Sequence, residues 1–465
     1  MKIIVLAAGK STRFKSKKHK ALHLLLGKPI LERVLDTLWE LNPEQVQMVL
    51  GHQLQEILPL LTRGETHVKQ AEQLGSGHAL GIALNNLTDD SEGFLVVNSD
   101  TPLFRSTTLR NLINSVNEAT AQIGVLTAQV KEPFSYGRIL RAQDQILSII
   151  EEKEASAEQK LINEVNAGAY FFKLSLTQLQ EGIQYITKNN KNTECYLTCL
   201  IEWANLQKYK VVGYKCLDKT EIIGLNTKAE LAHASELLSK RRQLELQANG
   251  VLFLNPESTM VAPEVQIAAD TTIFPNCYLF GETSIGESCS IGPGAYIENS
   301  SIGNDTNVRF AQIVDSTIGS ECSVGPYASL RNKVILADNV YVGSFVEVKN
   351  SKVASESKIP HLSYVGDAEL GSEVNIGAGT ITANYNAISG EKSQTKLGNK
   401  VKVGSNSVFV APIELAEGCM VAAGTIVTEN VLDKDSLVIA RSEQEVKKNW
   451  VSDKKKKLNK ESQTK

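Results

Sequence analysis

Two hydrophobic periodicities divide the chain. In the first half, the short apolar runs Ile3–Ala7, Val46–Leu50, Phe94–Val97 and Ile123–Thr127 alternate with Ile30–Leu41 and Thr107–Val116, whose apolar residues recur at helical spacing. Strands alternating with amphipathic helices predict an α/β domain with a largely parallel sheet. Residues 228–249 read as one long polar-faced helix, the natural connector between the two halves.

Beyond Gly250 the period changes. Val261, Ile267, Ile273, Leu279, Ile285, Ile291 and Ile297 stand six residues apart, a spacing that neither a helix nor a flat strand produces. The pattern slips by one after Ile297 and resumes at Ile302 and Val308. It then returns as aliphatic–glycine pairs: Ile318-Gly319, Val324-Gly325, Leu370-Gly371, Ile376-Gly377, Leu397-Gly398 and Val403-Gly404. A hexapeptide repeat of this kind predicts a coil of three short strands, with the aliphatic side chain inward and glycine easing the bend. Two interruptions, Lys349–Tyr364 and Asn384–Thr395, are expected to leave the coil as loops on the binding face. The resulting layout is a first domain over 1–227, a linker helix over 228–250, a β-helix over 251–441, and a polar, disordered tail over 442–465 that carries Lys454–Lys457.

Composition narrows this little. With 465 residues, two or three domains are expected, and a net charge of −3 with 42% hydrophobic residues lacks the basic excess of a nucleic-acid partner. The apolar stretch Ile3–Ala8 is too short for a signal peptide, and no later stretch is long enough for a membrane span. Seven cysteines, odd in number and without CxxC spacing, argue against a disulfide framework or a zinc site, so a reduced cytoplasmic setting is expected.

Candidate chemistry in the first half begins at Leu6-Ala7-Ala8-Gly9-Lys10-Ser11-Thr12-Arg13. Small residues let backbone N–H groups approach phosphates, and Arg13 offsets their charge. In the charged run 15–20, Lys20 is the residue assigned a phosphate contact. Asp100, in Asn98-Ser99-Asp100-Thr101-Pro102-Leu103, follows a buried strand, where an open α/β sheet presents ligands; a carboxylate there suits Mg²⁺. In the second half a single histidine, His361, falls within an interruption, and histidine is the side chain suited to act as a general base near neutral pH.

Together these segments resemble the sugar-nucleotidyltransferase superfamily. More closely, the chain resembles the bifunctional N-acetylglucosamine-1-phosphate uridylyltransferase / glucosamine-1-phosphate acetyltransferase family. The first-half resemblance rests on Leu6–Arg13, Gln70–Ala79, Asp100–Leu103, Tyr136–Ile139, Ile150–Lys153, Asn166–Gly168 and Gly224–Asn226, in the family's order. In the second half it rests on Ser329–Arg331, Gly343–Lys349, His361–Ala368, Val374–Thr380 and Asn384-Tyr385.

The fold this implies is a Rossmann-like α/β nucleotidyltransferase domain followed by a left-handed parallel β-helix. The implied roles place Leu6, Ala8, Gly9, Gln70, Gly75 and Ser76 around the uridine, and Arg13 and Lys20 on the triphosphate. Gly137, Glu151, Asn166, Tyr196 and Thr198 would hold the amino sugar, with Asp100 and Asn226 on Mg²⁺. In the β-helix, His361 would be the general base, and Arg331, Lys349, Tyr364, Asn375 and Lys392 would bind glucosamine 1-phosphate. Ala378, Asn384, Tyr385, Ser405, Ala423 and Arg441 would line the acetyl-CoA site, with Asn384 or the Ser405 N–H helping to stabilise the oxyanion. The resemblance also implies a homotrimer with its acetyl-transfer site between subunits, and UTP and acetyl-CoA as co-substrates.

The sequence departs from the family at Ser11, usually glycine, at Asn98-Ser99, usually Tyr-Gly, and at Cys199, usually aspartate. Two other readings compete. One is a hexose-1-phosphate nucleotidyltransferase with a regulatory β-helix, opposed by His361, Lys349, Arg331 and Asn384-Tyr385. The other is a non-catalytic assembly protein, opposed by Asp100 together with Asn226.

Overall fold

The computed structural model describes residues 1–9, 11–88, 91–190 and 194–462, the last five without their side chains. It forms two compact units, Met1–Arg242 with Val261–Pro263, and Gln243–Met260 with Glu264–Lys465. The division falls inside the helix Lys228–Ala248.

The first unit is built on a nine-stranded sheet. Lys2–Ala7 lies parallel between Gln45–Leu50 and Phe94–Asn98, and Thr66–Lys69 extends that side. The sheet is mixed rather than largely parallel, because Glu164–Phe172 runs antiparallel to both Phe94–Asn98 and Ile123–Gln129. Arg138–Ala142 and Gln145–Ile150 form a further antiparallel pair. Parallel neighbours require a crossover, usually a helix; between Tyr136 and Phe172 the described chain has only a short 3₁₀ turn, so its strands return on themselves.

Alternation along the strands fills two cores. Ile4, Val49, Val96 and Val125 pack with the helices Ser76–Asn85, Leu176–Lys188 and Cys199–Leu206 on one face. Ile3, Val5, Leu95 and Val97 pack with Ile30–Trp39 and Ser106–Glu118 on the other. At roughly 1.5–3 kcal/mol for each large aliphatic side chain buried, these cores hold the carboxyl ends of the central strands in place.

The second unit is a left-handed parallel β-helix whose strands form three parallel sheets of 11, 10 and 9 strands among the described residues. The inward residues stack in register from coil to coil: Ile273 on Ile291, Val308, Val324, Val342 and Ile359. A second ladder runs along the corners, where the backbone must turn. The Thr271 hydroxyl donates to Gly286 O in the neighbouring coil (2.8 Å) and accepts from Cys289 N (2.9 Å). Ser357 does the same with Gly371 O (2.7 Å) and Val374 N (2.9 Å). Cysteines occupy equivalent corners, the Cys289 thiol facing Gly303 O at 3.1 Å and Cys322 facing Ala337 O at 3.1 Å. All seven cysteines are free, and burial pushes the thiols of Cys277, Cys289 and Cys322 above their ordinary pKa, as suits small plugs rather than nucleophiles.

Two expectations are corrected here. Lys349–Tyr364 does not leave the coil; Val348, Val353, Ile359 and Val365 point inward and Lys352–Val353 and Lys358–His361 are ordinary coil strands. The inward aliphatic residue, not the glycine after it, keeps the period, and this turn lacks the glycine at Val353 and Ile359. The second interruption, Asn384–Thr395, does leave the coil, closed by a bridge between Tyr385 and Lys392, and rejoins it at Thr395, the first residue of a coil strand. The tail expected to be disordered contains a helix over Trp450–Ser462, a stretch free of Pro and Gly.

Two candidate active sites

At the carboxyl ends of the central strands two cavities adjoin, of about 390 and 210 Å³, sharing Leu6, Ser76, Asn98 and Asp100. Ala8, Gly9, Lys20, Gln70 and Gly75 line the larger; Gly137, Glu151, Asn166, Thr198 and Asn226 line the smaller. Lys10 of the first loop lies outside the described residues. Ser11 has φ 54°, in the left-handed region that favours glycine, and its hydroxyl is buried without a hydrogen-bond partner.

The floor between the cavities carries a compact charge network. Lys20 Nζ donates to Asp100 Oδ2 at 2.6 Å and to Asn226 Oδ1 at 3.3 Å, while Arg13 Nη2 donates to the same Asn226 oxygen at 2.9 Å. The main chain that carries these two side chains is itself fixed: Leu225 N donates to the Asp100 carbonyl at 2.7 Å, and Asn226 N and Thr227 N both donate to Glu230 Oε2 at 2.7 Å. A carboxylate and an amide oxygen converging on one cation form a hard, oxygen-only donor pair, which fits Mg²⁺. No group of three or more His, Cys, Asp or Glu side chains capable of holding a metal occurs among the described residues.

Glycine lets the walls close. Gly75 has φ +112°, and a Cβ there would lie 2.4 Å from Cys195 O, so only glycine allows the 194–198 segment to cross beside Ser76. Ser76 Oγ in turn accepts from Leu197 N at 3.0 Å, and Gly77 N donates to Cys195 O at 2.8 Å. On the far wall, the buried Arg138 donates to Glu152 Oε2 at 2.5 Å and to Tyr136 O, joining the Gly137 turn to the Glu151–Glu152 segment. Glu151 accepts from Thr198 Oγ1 at 3.0 Å.

Burial pushes the Glu151 carboxyl above its ordinary pKa, against the Thr198 hydrogen bond. A carboxylate raised in the folded state gives a stability that is fully present at low pH, falls as pH climbs from the ordinary carboxylate range through Glu151's own value, and stays lower above it. Glu151→Gln is therefore expected to raise Tm by roughly 2–4 °C at pH 8 and by less at pH 4. Calorimetry at both pH values checks this; an equal shift at both would refute the assignment of the strain to charge.

Some residues fall differently from expectation. Tyr196 lines neither cavity, and exposed Arg13 reaches the site through Asn226 rather than by lining a cavity. Sequence reasoning misses His19, Tyr136 and Glu194, which line the cavities. His19 hides inside a charged run that reads as solvated, yet its side chain is buried, its Nε2 lies 3.3 Å from Gly9 O and its Nδ1 accepts from Ala21 N. Burial lowers its pKa, which favours the neutral ring that this accepting nitrogen requires.

The β-helix gathers its candidates by register. Arg331, Lys349 and Gly366 lie on successive coils of one sheet, and Glu347 faces Tyr364 beside them. Arg331 Nε donates to Glu347 Oε1 at 3.1 Å. The amino group of Lys392, on the loop, lies beside Lys349 and holds it below the usual lysine range. Asn384, itself buried, donates to Asp367 Oδ2 and weakly to Tyr364 Oη at 3.4 Å. His361 ends a strand, in register with Ser344, and its side chain is exposed. Its carbonyl accepts from Ser363 Oγ (2.7 Å) and Gly379 N (3.4 Å). Asn375 sits on the next coil of that sheet, opposite Lys358.

The six residues assigned to the acetyl carrier fall into two groups. Ala378, Ser405, Ala423 and Arg441 form a column at one corner: Ala378 O accepts from Asn406 N (2.7 Å), and Ser405 O accepts from Gly424 N (2.8 Å). Gly377 and Gly404 let these coils touch, since a Cβ would come within 2.6 Å of Ser405 N and 2.4 Å of Ala423 N, respectively. Asn384 and Tyr385 stand at the loop.

A mixed-sheet fold with a cation-lined cleft at its strand ends, joined to a left-handed β-helix bearing a histidine and a cluster of cations, defines a two-site transferase of sugar nucleotides. Residues 3–166 match the MobA-like NTP transferase domain, and residues 261–362 match the GMPPB C-terminal domain. Over its length the chain is 38% identical to the bifunctional protein GlmU of Exiguobacterium sibiricum, covering 96% of this chain and 99% of that protein. It is 40% identical to that of Carboxydothermus hydrogenoformans, covering 97% and 100%. The chain belongs to the GlmU family.

Proposed function

We propose that the protein makes UDP-N-acetylglucosamine in two steps. The β-helix moves an acetyl group from acetyl-CoA to the amine of glucosamine 1-phosphate. The α/β domain then joins the N-acetylated sugar phosphate to UTP, releasing pyrophosphate. The observation that carries the reading is the convergence of Lys20, Arg13, Asp100 and Asn226 between two adjoining cavities, one for each reactant.

In the first domain, Leu6, Ala8, Gly9, Gln70, Gly75 and Ser76 enclose the uridine, and Gly137, Glu151, Asn166 and Thr198 hold the amino sugar, with Tyr196 at the edge. Asp100 and Asn226 hold Mg²⁺, which when bound neutralises phosphate charge. Arg13 and Lys20 take the triphosphate, and the two cavities hold the sugar phosphate in line with the α-phosphorus. Alignment and charge neutralisation are enough for this reaction, without a covalent intermediate.

In the β-helix, Arg331, Lys349 and Lys392 receive the sugar phosphate, with Tyr364 and Asn375 beside them. His361 takes the proton of the attacking amine, and Asn384 or the Ser405 N–H stabilises the oxyanion. The corner column from Ala378 to Arg441, with Tyr385, receives acetyl-CoA. The exposed stack Phe310, Tyr327 and Phe345, with ring centroids 5.5 and 5.2 Å apart, supports a homotrimer in which a neighbouring copy covers this edge. Seven unpaired cysteines suit a cytoplasmic setting, and no helix among the described residues is long and apolar enough to cross a membrane.

Incubation with glucosamine 1-phosphate, acetyl-CoA, UTP and Mg²⁺ is expected to yield UDP-N-acetylglucosamine and pyrophosphate. With N-acetylglucosamine 1-phosphate supplied and acetyl-CoA omitted, the same product is expected. Absence of product in the second mixture would refute the assignment of the first domain.

A further inference from the structure

We infer that Lys20 is a built-in stand-in for the metal ion: without nucleotide, its ammonium closes the Asp100–Asn226 pair to a free divalent cation, and the phosphates of an arriving nucleoside triphosphate draw it away. The inference rests on the reading of that pair as the metal site. Lys20 Nζ lies at the point where both oxygens converge, 2.6 Å from Asp100 and 3.3 Å from Asn226. A Mg²⁺-sized ion sits about 2.1 Å from its oxygen ligands, so on that same Asp100 oxygen it would crowd the ammonium, cation against cation. The Lys20 side chain is 14% exposed and that of Asp100 21%, so water screens the pair only partly.

The main chain beneath both oxygen donors is fixed, at Asp100 by Leu225 N and at Asn226 by Glu230, and each donor sits on a short side chain. Lys20 has the long, flexible stem. It heads a short 3₁₀ turn, Lys20–Leu22, capped by His19, whose ring also approaches Gly9 O in the small-residue loop. Lys20 and Gly9 therefore line the same cavity, and rotation of the lysine side chain alone carries its charge from Asp100 toward a phosphate on that loop. Arg13, on the same Asn226 oxygen, has the same choice. The consequence is order: metal entry and nucleotide entry are coupled, and the ligand-free cleft is not a metal trap.

The test uses the full-length protein and Mn²⁺ counted by electron paramagnetic resonance, with and without a UTP analogue that has a non-cleavable α,β bridge. The wild type is expected to bind Mn²⁺ weakly alone and at least about tenfold more tightly with the analogue. Lys20→Met is expected to bind Mn²⁺ alone about tenfold more tightly than the wild type, a gain abolished by adding Asp100→Asn. Lys20→Gln serves the same purpose if the methionine variant does not fold. Equal Mn²⁺ affinity of wild type and either lysine variant without nucleotide would overturn the proposal. Mn²⁺ binding that never depends on Asp100, with or without the analogue, would instead overturn the reading of the metal site itself.

Discussion

His361→Ala is expected to lower acetyl transfer about 10²–10⁴-fold and to leave uridylyl transfer within about twofold. The imidazole is held at the end of a coil strand whose carbonyl is fixed by Ser363 and Gly379, and Gly343 below it packs so closely on Pro360 that a Cβ would lie 2.0 Å from Pro360 O. Replacing the ring by a methyl group is therefore expected to remove the proposed base without disturbing the coil. Arg331, Lys349 and Lys392, proposed to hold the sugar phosphate, stay in place, so the loss is expected to fall on kcat more than on KM. The check is to assay both reactions on one preparation, following free thiol from CoA and pyrophosphate. Loss of both activities in a folded protein would refute two independent sites.

The mirror-image result is expected at the other end of the chain. Asp100→Ala removes uridylyl transfer by at least about 10²–10³-fold and spares acetyl transfer. The carboxylate is the sole acidic side chain bonded to Lys20 in the network between the cavities, among the described residues, so its removal also leaves two cations, Lys20 and Arg13, facing only the Asn226 amide oxygen. Asp100→Asn keeps the shape and should lose nearly as much, which separates charge from packing. Retention of more than about a tenth of the wild-type rate by Asp100→Asn would show that the charge is not required.

Much of this is legible in the chain because burial leaves a periodic trace. The run from Val261 to Ile297 marks the β-helix, since an inward residue at each face of a coil cannot be polar. The apolar runs of the first half form strands within a residue or two of their expected ends: Ile3–Ala7 lies within Lys2–Ala7, and Ile123–Thr127 within Ile123–Gln129. What fails depends on context. If glycine after the aliphatic residue is taken as part of the repeat, the coil through Val353 and Ile359 looks like an insertion. Strand direction escapes the hydrophobic pattern, which does not encode it; the lack of a crossover helix between Tyr136 and Phe172 does.

At the sites, the small residues of the Leu6–Gly9 and Gly75–Ser76 segments line the larger cavity. His19 escapes a reading of the sequence because its burial depends on a turn that folds it against Gly9. Tyr196, expected on the sugar, lies outside both cavities, whereas its neighbours Leu197 and Thr198 line the smaller one. A segment held by Gly75 on one side presents only part of itself to the cavity.

The hydroxyl and thiol ladder at the corners of the β-helix makes the second half a graduated ruler. Each Ser, Thr or Cys fastens its own coil to the next, so heights along the axis advance in fixed steps of about 4.8 Å. His361, Ala378, Ser405 and Ala423 are marks on that scale. Adding or deleting a whole coil between them would keep the stack intact yet shift every mark above it by one step. An insertion at a corner, such as Asn384–Thr395, changes the length of the chain without changing the scale. Variation in this half is therefore free to alter what the loops say, but the spacing between His361 and the column from Ala378 to Ala423 can change only in whole steps.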